Sequence, residues 1–239
     1  MKTNIYKTEE ALLTAFAKYF IEIAQKYISK NGVFNLVLAG GTSPKKLYEL
    51  LASPLFKDKI EWERLFFFFG DERCVPADDD ANNGLMVQKL FFSPLQISST
   101  KIFKIDTSVG PSEAAAKYSE QIKNHFQRNL PSFDLIILGL GENSHTASLF
   151  PYNEVLTEKN SIVKEVYLEN ENRHRITMTA PLINKAKNVA FLVYGESKRK
   201  AIYNVLKGEK NIEKYPAQLI QLETGEIQWF LDVESAALL

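Results

Sequence analysis

A chain of 239 residues that is 45% hydrophobic and 24% charged carries enough apolar material to close a full hydrophobic core. Its 29 Lys and Arg balance 29 Asp and Glu, which excludes a global field that would recruit nucleic acid or an anionic membrane surface, so any anion site must be local. The single Cys74 excludes an internal disulfide and a cysteine zinc cage; no run of about 18 apolar residues occurs, and residues 1–10 lack the apolar core of a signal peptide, so the protein is expected to be cytoplasmic.

The first predicted element is an amphipathic helix over Glu9–Ser29, where Leu12, Phe16, Phe20 and Ile23 recur at spacings of three and four. A strand at Phe34–Leu38 then runs through Ala39-Gly40-Gly41-Thr42 into a helix over Pro44–Leu51, with Ser43 a good N-cap and Pro44 a favoured first helical residue. Lys45 and Lys46 in the first turn have the wrong sign for the helix dipole, by about 0.3–1 kcal/mol per charge. A bound anion reverses that penalty, and phosphate suits backbone donors at a glycine-rich helix start. The same residues also read as a tight turn with two solvated lysines, since the full Walker spacing is missing.

Next comes a strand at Leu65–Phe69, four of whose residues are phenylalanine, followed by Gly70-Asp71-Glu72-Arg73. Charges directly after a buried strand imply an opening into a polar crevice. There Arg73 can clamp an anion, and Asp71 or Glu72 can orient it or accept a proton. The structural alternative is an Arg–carboxylate pair that closes the loop. Cys74 reads as a small buried side chain rather than a nucleophile. Ala77–Ser99 shows no clean period, and Asp78–Asp80 reads as a solvated acidic turn because it lacks calcium-loop spacing. A strand at Lys101–Ile105 and a helix over Ser112–Phe126 follow.

Asp134–Leu138 has the unbroken aliphatic character of a strand buried on both faces. It stops at Gly139 and Gly141 and leads to His145, just past the carboxyl end of a strand, where open α/β sheets bind ligands. An imidazole there suits general-base work on water, typically contributing about 10²–10⁴-fold in rate. His125, in a helical stretch, and His174, in a polar one, read as structural. Tyr152–Arg173 has no clean period and is weighed as a small lobe or lid. Strands follow at Arg175–Thr179, Asn188–Tyr194 and Ile227–Leu231, with a helix over Ser197–Leu206 after Gly195. Lys198 in its first turn repeats the sign anomaly of Lys45, and two such helix starts favour a shared anion. The βα order predicts one α/β domain with a mostly parallel sheet flanked by helices.

Five segments together carry a resemblance: Ala39-Gly-Gly-Thr-Ser-Pro44, Phe69-Gly-Asp-Glu-Arg73, the stretch from Leu138 to Pro151, Arg175-Ile-Thr-Met-Thr-Ala-Pro181 and Gly195-Glu-Ser-Lys198. In order, and with a matching tail from Trp229 to Ala237, the chain resembles the glucosamine-6-phosphate isomerase/6-phosphogluconolactonase family, and within it the lactonases. The resemblance implies a modified Rossmann-like fold shared with sugar-phosphate isomerases. It also implies hydrolysis of 6-phospho-D-glucono-1,5-lactone in the oxidative pentose phosphate pathway, with no required cofactor or metal.

Carried over residue by residue, the resemblance makes His145 the general base and places Asp71 beside the site. Arg73, Arg175 and Lys198 become cations near the substrate, and Gly40, Gly41, Thr42 and Ser43 the phosphate loop. One departure touches the chemistry. The family reads Asp-Gly-His where this chain has Asn143-Ser144-His145. Asn143 cannot supply the charge that stabilises an imidazolium and is able to select another tautomer, although Glu142 can take over part of the electrostatic role.

Three alternatives are set against this reading. Deaminase-like isomerases of glucosamine 6-phosphate resemble Asp-Glu-Tyr at Asp71-Glu72-Arg73 and place a glutamate at Phe150, so the missing carboxylate argues against them. A sugar-phosphate sensor of the regulator type has too little chain before the first strand for a DNA-binding module. An NAD-binding fingerprint from Gly139 and Gly141 needs a third glycine where Ser144 stands.

Overall fold

The computed structural model describes residues 1–239. Its first element, β1 (Lys2–Tyr6), is followed by α1 (Glu9–Asn31), which the Thr8 side chain caps at Ala11 N and which ends on Gly32 at φ 78°. Both are standard helix punctuation. Then come β2 (Phe34–Leu38), α2 (Ser43–Ala52), β3 (Leu65–Phe69), β4 (Asp71–Arg73) and α3 (Asn83–Val87). The remainder is α4 (Pro111–His125), β5 (Leu135–Leu138), β6 (Val163–Leu168), β7 (Arg173–Met178), α5 (Ala180–Ile183), β8 (Asn188–Val193), α6 (Arg199–Leu206) and β9 (Glu226–Asp232).

Six strands form one parallel sheet in the order β1-β9-β8-β5-β2-β3. Every residue of β2, β5 and β8 is buried, as a parallel strand covered by helices on both faces requires. The expected α/β architecture is therefore present. His125 is structural here: it hydrogen-bonds Asn35 Oδ1 at 2.7 Å and lies edge-on to Phe66. His174 packs against the Tyr167 ring at a tilt of 48° at the surface. No helix is long and apolar enough to cross a membrane.

Three predicted features change. Arg175–Thr179 does form a strand, but β7 belongs to a separate antiparallel sheet, β4-β7-β6, rather than to the parallel one. The alternation of polar Arg175, Thr177 and Thr179 with Ile176 and Met178 is the period-two pattern of such a sheet. Lys101–Ile105 is not a strand. A 3₁₀ turn over Ser99–Lys101 leads to a single bridge from Ile102 to Phe67, and the segment's apolar residues serve packing, with Phe103 stacked on Phe68 at 4.4 Å.

The N-terminal strand β1 was not predicted, because its exposed residues carry no apolar signal and it is held by backbone pairing to β9. Within Tyr152–Arg173, the stretch weighed as a lobe or lid holds a 3₁₀ turn, β6 and a second 3₁₀ turn, so it contributes an edge strand to the small sheet. Gly70 joins the two sheets: its N–H donates to Leu38 O at 3.0 Å and its carbonyl accepts from Met178 N at 2.8 Å.

Candidate active site

From β2 the chain proceeds outward to β3, and later returns on the other side of β2 as β5. This reversal opens a crevice at the carboxyl ends of β2 and β5, the switch point where open α/β sheets take ligands. A cavity of about 180 Å³ lies there, lined by residues 39–44, 70–71, 73, 83, 137–141, 145–147, 175 and 198. Gly40, Gly41, Thr42, Ser43, Asp71, Arg73, His145, Arg175 and Lys198 all face this one space. Asn143 stands outside it, behind His145, on the wall of a wider groove of about 990 Å³ that reaches Phe150 and Tyr152. That groove is larger, but it contains none of the three clustered cations.

The loop after β5 holds His145 by both its ring and its backbone. Phe150 stacks on it with centroids 4.0 Å apart and planes 20° from parallel, and Gly141 N donates to His145 O at 2.8 Å. Asn143 Oδ1 accepts from the His145 backbone N–H at 3.2 Å and lies 2.6 Å from Nδ1. The backbone N–H can only donate, so it selects the amide oxygen to face the histidine. Nδ1 must then carry the proton, and Nε2 is left as the bare nitrogen. The substitution of amide for carboxylate thus keeps the tautomer a general base needs while removing the charge.

The imidazole pKa is correspondingly depressed to about 4, first by burial and then by the fields of Arg175 and Lys198. Glu171 opposes the shift, whereas Glu142, proposed from the sequence to assist, acts instead on Lys198. The loop is also strained. Ser144, Ala147 and Tyr152 all have positive φ, 65°, 47° and 61°, which costs non-glycine residues energy and clusters at functional sites. At Ser144 the cost is about 1–2 kcal/mol. Ser144→Gly, offset by roughly 0.5–1 kcal/mol of backbone entropy, is expected to stabilise the fold by about 0.5–1 kcal/mol. A rise in thermal midpoint checks this, and a fall would show that the buried side chain outweighs the strain.

The cations come from both sheets. Arg175 on β7 is buried, donates from Nη2 to both Glu171 oxygens at 2.7 Å and approaches Asp71 Oδ2 at 3.9 Å, while its Nε has no partner. Its guanidinium also lies over the Phe150 ring. Arg73 on β4 donates to Ala81 O at 2.6 Å, and its buried Nε is likewise free. Asp71 accepts from Ser148 Oγ at 2.6 Å, which ties β4 to the histidine loop. Lys198 closes a 3₁₀ turn and sits at the N-cap of α6, where burial lowers its pKa.

Several details differ from the sequence reading. Helix α2 begins at Ser43 with Thr42 at the cap, and no side chain caps it. Its donors adjoin the cavity through Gly40 to Pro44, with Gly41 at φ 88° making the turn. Lys45 and Lys46 do not face that space: both are exposed, and Lys46 pairs with Glu9 at 2.7 Å. The helix-dipole argument therefore pointed to the right place through the wrong residues. Glu72 neither meets the Arg73 guanidinium nor lines the cavity. It points to the opposite face of β4, accepts from the backbone N–H groups of Arg73, Asn83 and Gly84 at 2.7–2.8 Å, and is pushed by burial up to about 7. Asn83, which lines the cavity, carried no sequence signal, whereas Phe150, singled out because the deaminases place a glutamate there, packs against the His145 ring.

Residues 7–229 match the model of the family described as glucosamine-6-phosphate isomerases/6-phosphogluconolactonase. The chain is 36% identical over 214 residues to a 6-phosphogluconolactonase of Synechocystis, covering 88% of this chain and 86% of that one. It is 34% identical over 221 residues to one of Haemophilus influenzae, covering 91% and 94%. The solved structure of a 6-phosphogluconolactonase from Trypanosoma brucei superposes with a TM-score of 0.84 at 27% identity, covering 99% of this chain and 97% of that one. A family match over nearly the whole chain, on a fold that brings the five motifs to one crevice, shows that the chain belongs to the glucosamine-6-phosphate isomerase/6-phosphogluconolactonase family.

Proposed function

We propose that the protein is a cytoplasmic enzyme that hydrolyses 6-phospho-D-glucono-1,5-lactone to 6-phospho-D-gluconate, a step of the oxidative pentose phosphate pathway. The observation that carries this reading is a histidine with a bare Nε2 that faces a small cavity shared by a glycine loop and three cations. In the reaction, His145 Nε2 takes a proton from water as its oxygen bonds to C1 of the lactone. The tetrahedral oxyanion collapses, the C1–ring oxygen bond breaks, and the imidazolium returns the proton to the leaving ring oxygen. The Gly40–Ser43 loop, Arg73 and Lys198 hold the phosphate. Arg175, the cation whose field acts most strongly on His145, stands at the carbonyl end, where charge develops.

The isomerase reading is disfavoured by one contact. Phe150 occupies the position of the expected proton-transferring glutamate and stacks on His145, so no carboxylate is available there for ring opening and proton shuttling. The direct test follows freshly generated lactone against spontaneous hydrolysis and measures ammonia release from glucosamine 6-phosphate in parallel. Acceleration of lactone opening without ammonia release is expected, and ammonia release or no acceleration would overturn the assignment.

A pH profile tests the base. Only neutral His145 accepts a proton, so kcat/KM should rise through about pH 4 and be flat by neutrality, unlike the profile of an unperturbed imidazole. A bound phosphate opposes the cationic field that depresses the pKa, so the acid limb of kcat should lie higher than that of kcat/KM. Asn143→Asp places an anion beside Nδ1, favours the imidazolium and should move the kcat/KM limb upward by about 1–3 pH units. An unmoved limb would assign it to another group.

A further inference from the structure

Asn83 lies outside every motif that pointed to the site, yet it is 2% exposed and lines the cavity directly against the glycine loop. Its surroundings leave it little freedom. Nδ2 donates to Asp71 O at 3.0 Å, and its own backbone N–H is held by Glu72 Oε1 at 2.7 Å, while Glu72 Oε2 holds Gly84 N at 2.7 Å. A methyl added at Gly40 would overlap Cγ, Nδ2 and Oδ1 of Asn83 equally, which means that the amide plane lies face-on against the Gly40 α-carbon. Gly40 is therefore glycine because of Asn83 and not because of its own φ, which is not positive; only the neighbouring Gly41 needs left-handed backbone.

We propose that Asn83 is a positioning residue for phosphate recognition: its amide is the spacer that sets the Gly40–Gly41 turn against Asp71 and Arg73, and Glu72 is the anchor that holds the spacer. The donors of the turn come from the large sheet and Arg73 from the small one. Asn83 is bonded to the small-sheet side and packed on the large-sheet side, so it fixes the separation of the two halves of an anion site. A substrate lacking the phosphate uses that separation far less. This proposal rests on the reading of the site as a phosphorylated-lactone site, which is tested separately by the wild-type assay above.

The experiment is a double-mutant cycle of Asn83→Ala and Gly40→Ala, with turnover of 6-phosphogluconolactone and of unphosphorylated glucono-1,5-lactone, and with calorimetric binding of 6-phosphogluconate as a readout independent of turnover. Asn83→Ala should raise KM for the phosphorylated lactone and weaken product binding by about 10-fold or more, with kcat falling less. The loss on the unphosphorylated lactone should be several times smaller. Gly40→Ala alone should be worse than Asn83→Ala. Adding Asn83→Ala to Gly40→Ala should restore part of the lost affinity, because the methyl then occupies the space the amide has left. Equal losses on both lactones, an unchanged KM, or additive losses in the double variant would each overturn the proposal. If the Gly40→Ala protein does not fold, the two-lactone comparison on Asn83→Ala decides alone.

Discussion

Replacing His145 by alanine lowers kcat by about 10²–10⁴-fold and changes KM far less, the expected signature of a lost general base. The size follows from what the ring does. With Nδ1–H committed to Asn143 and Nε2 bare, the imidazole is the one group in the cavity able both to take a proton from water and to return it to a leaving alkoxide. The neighbouring carboxylate of Asp71 should compensate little, since its Oδ2 already accepts from Ser148 and lies beside the Arg175 guanidinium. Steady-state turnover at saturating lactone, corrected for spontaneous hydrolysis, measures the effect. An unchanged kcat would remove His145 from the mechanism and leave the phosphate site as the only function of the crevice.

Gly141→Ala should come close to that loss without touching the histidine. A methyl at position 141 would overlap Nδ1 and Cε1 of the imidazole. The ring has nowhere to retreat, because Phe150 is stacked on it at 4.0 Å and Asn143 holds its edge. Either the ring or the loop must shift by the order of 1 Å, a displacement that costs about 10²-fold in rate. The expected result is a kcat reduced by about 100-fold with product binding nearly preserved, since a methyl at position 141 would meet the imidazole and none of the three cations. Full activity in this variant would mean that the imidazole swings freely and that its packing is not part of the machinery.

Buried parallel strands were legible because they need no partner to be recognised: residues 36–38, Leu65–Phe69, Leu135–Leu138 and 189–193 announce themselves by apolar runs. Strand β1 and the small-sheet strands β4 and β6 were not, since β1 is an exposed edge, β4 has three charged residues and β6 mixes Lys164 and Glu165 into its pattern. Their pairing is set by what lies beside them in space. The same division runs through the site. The glycines, the histidine and Arg73 were visible as residue types after strand ends, Lys198 as a cation in the first turn of a helix and Arg175 through the resemblance, and all line the cavity.

Direction was what the sequence could not convey. Lys45 and Lys46, read either as facing an anion or as solvated, face solvent, and Glu72, weighed with Asp71 for orienting Arg73 or accepting a proton, anchors the start of α3. Asn143 looked like a threat to the base until its contact with a backbone N–H showed which of its two amide atoms faces the ring.

The junction at Gly70 has a further consequence. His145 and the glycine loop ride on the parallel sheet, whereas Arg73 and Arg175 ride on the antiparallel one, and at Gly70 two backbone hydrogen bonds link the pieces. A local opening there that also breaks the Ser148–Asp71 tie would part the charges from the histidine while both sheets stay folded. Turnover should then be the most sensitive reporter of how firmly the two sheets are docked, with activity lost on heating below the thermal midpoint of unfolding.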